Sequence, residues 1–290
     1  MTNTEVPGGA ATAAPDLQLG LIGDNIARSR SPLLHRLAGA QNGLNVAYDR
    51  LVPRDMGMGF DAVFARCASG GFRGINITYP YKERVTAHID IDDPLVRAIG
   101  AVNTVLFTAA GPKGYNTDYS GFIAAYRGVR PRAGPGTVCV VGTGGVGRAI
   151  AFGLVALQAP ALHLVDQDRA KAEALAVALR AAAPGMQVRV FDRVEAAAEG
   201  AEGLINSTPV GMVGYSGTVF PPAVMTGAKW VFDAVYTPVD TQFLRDAEAA
   251  GLAVISGYEL FFWQGVHAWE IFAGLPLDLA ALRAALPVAG

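Results

Sequence analysis

The chain has 290 residues, of which 51% are hydrophobic and 17% are charged. This composition is ordinary for a soluble α/β protein, and the length allows two domains. The 23 basic and 25 acidic residues give a net charge of −2 with no basic block, which argues against nucleic acid or an anionic membrane as the main partner. Cys67 and Cys139 form no C-x-x-C pair, so we interpret both as reduced thiols in a cytoplasmic protein.

Neither the start of the chain nor its most apolar stretch predicts a membrane segment. Residues 1–16 contain no Lys or Arg and no long apolar core, and they predict a flexible tail rather than a signal peptide. The apolar residues 149–165 are interrupted by Gln158 and Pro160. A helix packed on a sheet, followed by a buried strand, explains that stretch better than a transmembrane helix.

Strands and helices alternate through the first part of the chain. Strands are predicted at residues 17–23, 46–51, 74–78 and 102–107, and helices at residues 32–41, 56–67, 81–88 and 94–99. The glycine- and proline-bearing residues 128–136 predict a connection between two domains. Beyond it, strands are predicted at residues 138–141, 188–191, 204–207, 230–233 and 253–255, with a helix over residues 169–183. Such alternation indicates parallel sheets covered by helices.

A glycine-rich turn follows the strand at residues 138–141. Its residues are Gly142, Thr143, Gly144, Gly145, Val146 and Gly147. In a dinucleotide site the first glycine permits the tight turn, the second lets the backbone approach a pyrophosphate, and the third allows close packing of helix and strand. Asp166 follows 24 residues after Gly142, where a carboxylate can accept hydrogen bonds from a ribose. The sequence therefore predicts a dinucleotide-binding unit.

Three polar clusters lie in the first part of the chain. Ser29 and Ser31 precede a predicted helix, and two hydroxyls there can seat a small carboxylate, although capping alone would explain Ser31. The second cluster comprises Asn76, Thr78 and Lys82. It lies at the carboxyl end of a predicted strand, which is where open α/β sheets bind ligands. The third contains Asn103, at a strand start, and Asp118, at a helix start where it could act as an N-cap.

Six motifs occur in the order typical of the shikimate/quinate dehydrogenase family: S-R-S-P, N-I-T-Y-P-Y-K, G-A-V-N-T, N-T-D-Y-S-G, G-T-G-G-V-G and Q-G-V-H-A. The chain resembles that family from about residue 17 to its C-terminus. The resemblance implies an α/β substrate domain with a mixed, mostly parallel sheet, formed by residues 17–119 and 258–290. It also implies a Rossmann domain over residues 120–257, with the active site in the cleft between the two domains.

The resemblance also implies roles for individual residues. Ser29 and Ser31 would hold the substrate carboxylate, and Lys82 and Asp118 would be the catalytic pair. The ring hydroxyls would be held by Asn76, Thr78, Asn103, Asp118 and Gln264, with Tyr236 nearby. The segments flanking the cofactor would contribute Thr208, Pro209, Val235, Gly257 and Leu260.

The residue types of the catalytic pair suit the oxidation of a secondary alcohol. That reaction moves a hydride to a nicotinamide and requires a group that takes the hydroxyl proton, while the reverse reduction requires a proton donor at the same oxygen. We assign Lys82 as the proton donor in ketone reduction. Asp118 would orient both Lys82 and the hydroxyl.

The cofactor is predicted to be NAD rather than NADP. NADP-using members of the family typically carry an arginine motif that clamps the 2′-phosphate, whereas Asp166 and Asp168 would accept ribose hydrogen bonds and repel a phosphate. Arg169 and Lys171 follow these acids closely enough in sequence to weaken the preference for NAD. We expect Arg169 to be one of the cofactor-binding residues. The same resemblance implies that Ser31 favours shikimate over quinate as the substrate, since NAD-preferring members that favour quinate often have Thr at this position.

Several alternatives stay open. The chain could prefer quinate, it could be a methylene-tetrahydrofolate dehydrogenase, or it could be a non-catalytic NAD-sensing module. Thr78 departs from the Tyr-x-x-x-Lys arrangement of the folate enzymes, and a sensing module has no need for both Lys82 and Asp118. The four scattered histidines lack metal-ligand spacing, so no metal is expected. The expected partner is a small-molecule substrate, and the protein could be a monomer or a homodimer.

Overall fold

The computed structural model describes residues 14–286. Most of the predicted tail, residues 1–13, lies outside the described residues, as do residues 287–290. Asp16, the last residue of that predicted tail, is tied to the first sheet. Its N–H donates to the Asn45 carbonyl (2.9 Å), and its carboxylate accepts from the Asn45 N–H (2.7 Å).

The first sheet is mixed, as expected. Its strands are β1 (Leu17–Ile22), β2 (Val46–Leu51), β3 (Gly74–Ile77), β4 (Thr104–Thr108) and β5 (Gly111–Tyr115), in the order β2-β1-β3-β4-β5. The first three strands are parallel, and β4 runs antiparallel to both of its neighbours. The sequence analysis missed β5, because its residues G-P-K-G-Y have low strand propensity. Pro112 is accommodated because β5 is an edge strand.

Three α-helices lie in this part of the chain: α1 (Ser31–Gln41), α2 (Phe60–Ser69) and α3 (Pro94–Ile99). The helix α2 begins four residues later than residue 56, where the sequence predicted it. Gly57 has a φ of 64°, in the left-handed region that an α-helix does not adopt, and Gly59 is the N-cap. The predicted helix over residues 81–88 is reduced to a 3₁₀ turn at Arg84–His88.

The second sheet is entirely parallel. Its strands are β6 (Thr137–Val141), β7 (Ala161–Val165), β8 (Gln187–Phe191), β9 (Gly203–Asn206), β10 (Trp230–Asp233) and β11 (Ala253–Ile255), in the order β11-β10-β9-β6-β7-β8. This is the doubly wound Rossmann order, whose ligand crevice lies where the winding reverses, between β6 and β9. Its helices are α4 (Thr117–Val129), α5 (Gly145–Ala156), α6 (Arg169–Ala182), α7 (Val194–Ala198) and α8 (Gln242–Ala249).

The last two helices, α9 (Gly257–Ala273) and α10 (Leu279–Ala285), return the chain to the first sheet. Two glycines allow the close approach of α9. A Cβ on Gly121 would lie 2.9 Å from the Gln264 backbone nitrogen, and one on Gly265 would lie 2.3 Å from a Leu34 methyl carbon. Trp269 and Phe272 of α9 are buried in the same core as β1. Among residues 14–286, no helix combines the length and apolar character needed to cross a membrane.

Candidate active site

A cavity of about 300 Å³ lies between the two sheets, at the carboxyl ends of their central strands. We call it the first cavity. Its walls include all nine residues expected to hold the substrate: Ser29, Ser31, Asn76, Thr78, Lys82, Asn103, Asp118, Tyr236 and Gln264. The structure therefore brings together side chains that are up to 235 positions apart in sequence, counting from residue 29 to residue 264.

The Lys82–Asp118 pair is the least exposed Lys–Asp ion pair among residues 14–286. The Lys82 Nζ donates to Asp118 Oδ2 over 2.5 Å, and the two side chains are 16% and 4% exposed. The expectation that Asp118 could act as the N-cap of α4 is wrong. Asn116 is the cap, since its side chain accepts from the Tyr119 N–H (3.0 Å). The Asp118 carboxylate is therefore free to hold Lys82.

The two serines stand side by side at the start of α1. Ser29 Oγ donates to Ser31 Oγ over 3.3 Å and accepts from the Ser31 N–H over 3.3 Å. The prediction that Ser31 caps the helix is wrong, because the N-cap is Arg30, whose side chain makes no capping hydrogen bond. Capping does not occupy the Ser31 hydroxyl, so both hydroxyls can face a ligand in the first cavity.

A network of amides fixes the floor of the first cavity. Asn76 accepts from the Tyr48 hydroxyl (2.8 Å) and donates to Thr104 Oγ1 (3.0 Å). Asn103 accepts from the Thr117 N–H (2.7 Å), and its Nδ2 donates to Gln264 Oε1 over 3.4 Å. A buried polar network whose members satisfy one another is rigid, and it presents its remaining polar atoms in fixed directions.

A second cavity, of about 590 Å³, adjoins the first. The two share Thr78, Lys82 and Val146, so the Lys82 side chain borders both. The other predicted residues that line the second cavity are Thr143, Gly144 and Gly145, at the N-terminus of α5. Gly257 and Leu260 line the first cavity instead.

The geometry of the glycine-rich turn fits a dinucleotide. Gly142 has a φ of 94°, and a Cβ on Gly147 would lie 2.0 Å from the Gly142 carbonyl oxygen, so both positions require glycine. Gly144 is the N-cap of α5, and a Cβ there would meet nothing within 4 Å. Open space above free helix N–H groups is the arrangement that accepts a phosphate.

Asp166 is held as a carboxylate beside this turn. Its Oδ2 accepts from the N–H and the hydroxyl of Thr143, both at 2.7 Å, and its Oδ1 accepts from the Asp168 N–H at 2.9 Å. Partial burial acts to raise the pKa of Asp166, but these hydrogen bonds outweigh it and hold the pKa below its ordinary value. The group therefore keeps its negative charge at neutral pH.

The other predicted cofactor residues lie around the two cavities rather than in their walls. Asp168 caps α6 by accepting from the N–H groups of Ala170 and Lys171. Arg169 is ion-paired with Asp192 and with Glu173 (3.2 Å), on the surface of α6. Lys171, in contrast, lines the second cavity.

A buried acid that the sequence analysis missed orders the loops bearing Thr208, Pro209 and Val235. Asp233 is 0% exposed and accepts from Asn206 Nδ2 (3.0 Å), the Val235 N–H (3.0 Å) and the Thr241 hydroxyl (2.6 Å). Burial raises its pKa to about 6, although these hydrogen bonds act in the opposite direction. Asn206 in turn accepts from the Thr208 hydroxyl (2.7 Å). Asp233 and Asn206 are each the last residue of a buried strand. Polar residues at that position indicate the edge of the sheet where ligands bind.

Two further residues of the first cavity were also missed. Arg28 lines it and makes no hydrogen bond or ion pair within the described part of the chain. His35 is 1% exposed and stacks on Tyr48, with ring centroids 5.1 Å apart. Burial lowers the pKa of His35 to about 3, against a smaller effect of the Asn76 side chain that acts to raise it, so the ring is neutral. Arg28 is next to Ser29 in the sequence, and this proximity to a predicted substrate-binding residue was the signal that could have identified Arg28 as part of the site.

Comparisons with known proteins agree with this geometry. The family model for the shikimate dehydrogenase substrate-binding domain matches residues 21–105. The chain is 39% identical over 272 residues to the quinate/shikimate dehydrogenase (NAD(+)) of Corynebacterium efficiens, covering 92% of this chain and 96% of that protein. It is 35% identical over 276 residues to the shikimate dehydrogenase (NADP(+)) of an Arthrobacter species, covering 93% of this chain and 94% of that protein.

A comparison with a solved structure points to the same family of dehydrogenases. The quinate dehydrogenase of Corynebacterium glutamicum in complex with NAD superposes with a TM-score of 0.87 and is 35% identical, covering 93% of this chain and 98% of that one. Since identity above a third extends over nine-tenths of the chain, the relationship includes both sheets and the cleft. The chain belongs to the shikimate/quinate dehydrogenase family.

Proposed function

We propose that this protein is an NAD-dependent dehydrogenase that interconverts the C3 alcohol of shikimate, or of the related quinate, and the corresponding ketone. The observation that carries the proposal is the position of Lys82. Its ammonium group is held by a buried carboxylate at the boundary between a polar cavity sized for a small cyclic acid and a cavity beside a dinucleotide turn.

The residues of the first cavity divide the work of binding and proton transfer. The hydroxyls of Ser29 and Ser31 would donate to the substrate carboxylate. The amides of Asn76, Asn103 and Gln264, which the network above holds in fixed directions, would bond the ring hydroxyls.

Proton transfer would occur at the substrate oxygen nearest Lys82. When bound, the nicotinamide supplies the carbon that exchanges a hydride with the substrate. In ketone reduction, Lys82 donates a proton to the carbonyl oxygen, and in alcohol oxidation it receives the hydroxyl proton. Asp118 keeps the Lys82 amine aimed at that oxygen.

A four-way assay tests this function: shikimate and quinate, each with NAD⁺ and with NADP⁺, monitored by the absorbance of the reduced nicotinamide. We expect turnover of both acids with NAD⁺, and a higher kcat/KM for shikimate because family members that favour quinate often have Thr in place of Ser31. Absence of turnover with either acid would contradict the proposal, and turnover confined to NADP⁺ would contradict its cofactor assignment.

The preference for NAD rests on the charge of Asp166. A 2′-phosphate placed near this carboxylate would be repelled, whereas a 2′-hydroxyl can donate to the Asp166 oxygen that has spare acceptor capacity. Lys171 lines the second cavity together with two other cations, Lys82 and Arg148, and it would attract such a phosphate once Asp166 is neutral.

The variant Asp166→Asn tests this electrostatic argument, since an amide oxygen can still accept from Thr143. We expect the ratio of kcat/KM for NADP⁺ to that for NAD⁺ to rise about tenfold, which corresponds to about 1.4 kcal/mol. Asp246→Asn is the matched control, because it removes one negative charge from the half-buried Asp246 of α8, which does not line either cavity, and an amide oxygen there can still accept from Gln242 Nε2. An equal change of the ratio in both variants would show that net charge alone is responsible.

A further inference from the structure

An arginine of the second domain is hydrogen-bonded to a helix of the first. Arg148 lies in the first turns of α5, one residue after Gly147. Its Nε donates to the carbonyl of Ile99, and its Nη2 donates to the carbonyl of Ala98 over 3.2 Å. Both carbonyls lie at the C-terminus of α3, which contacts both sheets' cores: its Val96 is buried in the core of the first sheet, and its Ile99 is buried in the core of the second, against α5 and α6.

The charge of the Arg148 guanidinium favours its hydrogen bonds to the last carbonyls of α3. The last carbonyls of a helix have no partner within the helix and carry the negative end of its dipole, so a guanidinium with two forked donors complements them. Arg148 is partly buried, and desolvation lowers its pKa, while the charge of Glu83 acts to raise it. A partly buried charge-assisted contact is screened less by solvent than a surface pair.

On one side, Arg148 is connected to the catalytic lysine. The chain after Ile99 turns at Gly100, and the Val102 N–H then donates to the Lys82 carbonyl over 2.8 Å. Glu83 is the residue next to Lys82, and it lines the second cavity. Its negative charge attracts the Arg148 guanidinium.

On the other side, Arg148 is connected to the phosphate-binding turn. Its backbone N–H donates to the carbonyl of Gly144 over 2.8 Å, which closes the first turn of α5. A single residue therefore joins the turn expected to hold the cofactor to the backbone that carries Lys82.

We infer that Arg148 is a positioning residue that sets the distance between the cofactor and the substrate by clamping α5 to the end of α3. The inference rests on the proposed function, since it assigns Arg148 a part in hydride transfer. Arg148 also lines the second cavity, and the inference gives it no contact with the atoms that exchange the hydride.

The test compares Arg148→Met and Arg148→Lys with the control Arg180→Met. Arg180 also donates from Nη2 to a backbone carbonyl, that of Val188 at 2.7 Å, but both residues lie within the second domain and away from the cavities. For each variant, kcat, the KM values, the thermal midpoint and the deuterium isotope effect on kcat are measured with the acid that the wild-type enzyme turns over fastest, labelled at the carbon that loses hydride.

We expect kcat of Arg148→Met to fall by about 10- to 100-fold, since a displacement of about 1 Å at the reacting atoms costs a factor of that order. The isotope effect on kcat should rise as hydride transfer becomes rate-limiting, while the KM for the acid changes less than threefold. Arg148→Lys, which keeps one donor, should be intermediate.

A purely structural role predicts a different pattern. In that case Arg148→Met and Arg180→Met would lower kcat in proportion to the loss of folded protein, with no change in isotope effect, and this result would overturn the inference. Wild-type kcat in Arg148→Met would overturn it as well. If Arg148→Met does not fold, the isotope effect of Arg148→Lys decides, because an unchanged value there contradicts the clamp. An inactive wild-type enzyme would instead reject the proposed function.

Discussion

At the scale of single residues, the charges in the wall of the first cavity nearly cancel. Lys82 and Asp118 neutralise each other, which leaves Asp24 and Arg28 as the remaining charged residues of the wall. Asp24 accepts from the Tyr81 hydroxyl over 3.3 Å, whereas Arg28 has no such contact in the described residues. Arg28 is therefore the cation available to an anionic substrate.

Removing Arg28 should weaken the attraction of the cavity for a carboxylate. We expect Arg28→Gln to raise the KM for the acid about three- to tenfold at low salt with little change in kcat, and to flatten the dependence of KM on ionic strength. Steady-state kinetics at several salt concentrations measure both effects. Arg36→Gln, on the exposed side of α1, is the control and should keep the wild-type salt dependence.

The buried His35 should make the fold sensitive to acid. Its folded pKa of about 3 lies below the unfolded value near 6.5, so only the unfolded chain binds this proton between those pH values. The free energy of unfolding should therefore decrease as the pH falls from 6.5 toward 3, by at most about 1.4 kcal/mol per pH unit from this group. Urea titrations should show a smaller decrease for His35→Phe than for the wild type, and an identical pH slope would contradict the assignment.

The residue types that bear chemistry were predictable, but their local roles were not. Ser29 and Asp118 were singled out because hydroxyls at a helix start and a carboxylate in a polar cluster are informative by type. Whether a side chain caps its helix depends on backbone angles at one position, and there Asn116 and Arg30 took the places expected for Asp118 and Ser31. Sequence alone does not distinguish neighbouring candidates for a cap.

At the scale of secondary structure, α5 and the turn before it form the most constrained element. The carbonyl of Gly142 touches the position that a Cβ on Gly147 would occupy, so strand end and helix start pack with no room between them. The strand, turn and helix were all predicted here, because apolar periodicity and glycine spacing agree. Prediction failed at β5 and at the start of α2, where glycine and proline give no periodic signal.

Gly147→Ala should therefore damage both stability and cofactor binding. The added methyl group would push α5 away from β6, so we expect a loss of about 1–3 kcal/mol in the free energy of unfolding and a higher KM for NAD⁺. Gly128→Ala is the control: Gly128 lies in α4, where a Cβ meets nothing within 4 Å, and the substitution should be neutral or slightly stabilising. Chemical denaturation and cofactor titration measure the two effects, and equal stability of both variants would contradict the packing argument.

At the scale of the whole molecule, the site exists because α9 brings the end of the chain back to its beginning. Gln264 of α9 reaches Asn103, 161 positions earlier, and Gly265 packs on Leu34. The family resemblance predicted the two-domain plan. Composition and periodicity did not place these contacts, because they report only on residues that are near one another in sequence. The Arg148 contact with α3 escaped prediction for the same reason.

The central claim is that Lys82, held by Asp118, transfers the proton in the chemical step, and Lys82→Met tests it most directly. The measurement is kcat for the preferred acid, together with the Kd of that acid from tryptophan fluorescence. Lys113→Met serves as the surface control. Lys113 forms an ion pair with Asp92, with an N–O distance of 2.9 Å, and it lines neither of the two cavities. We expect kcat to fall by at least about 100-fold while Kd changes by less than about fivefold, as is typical of a lost acid–base group. A folded Lys82→Met protein that keeps kcat within threefold of the wild type would contradict the account.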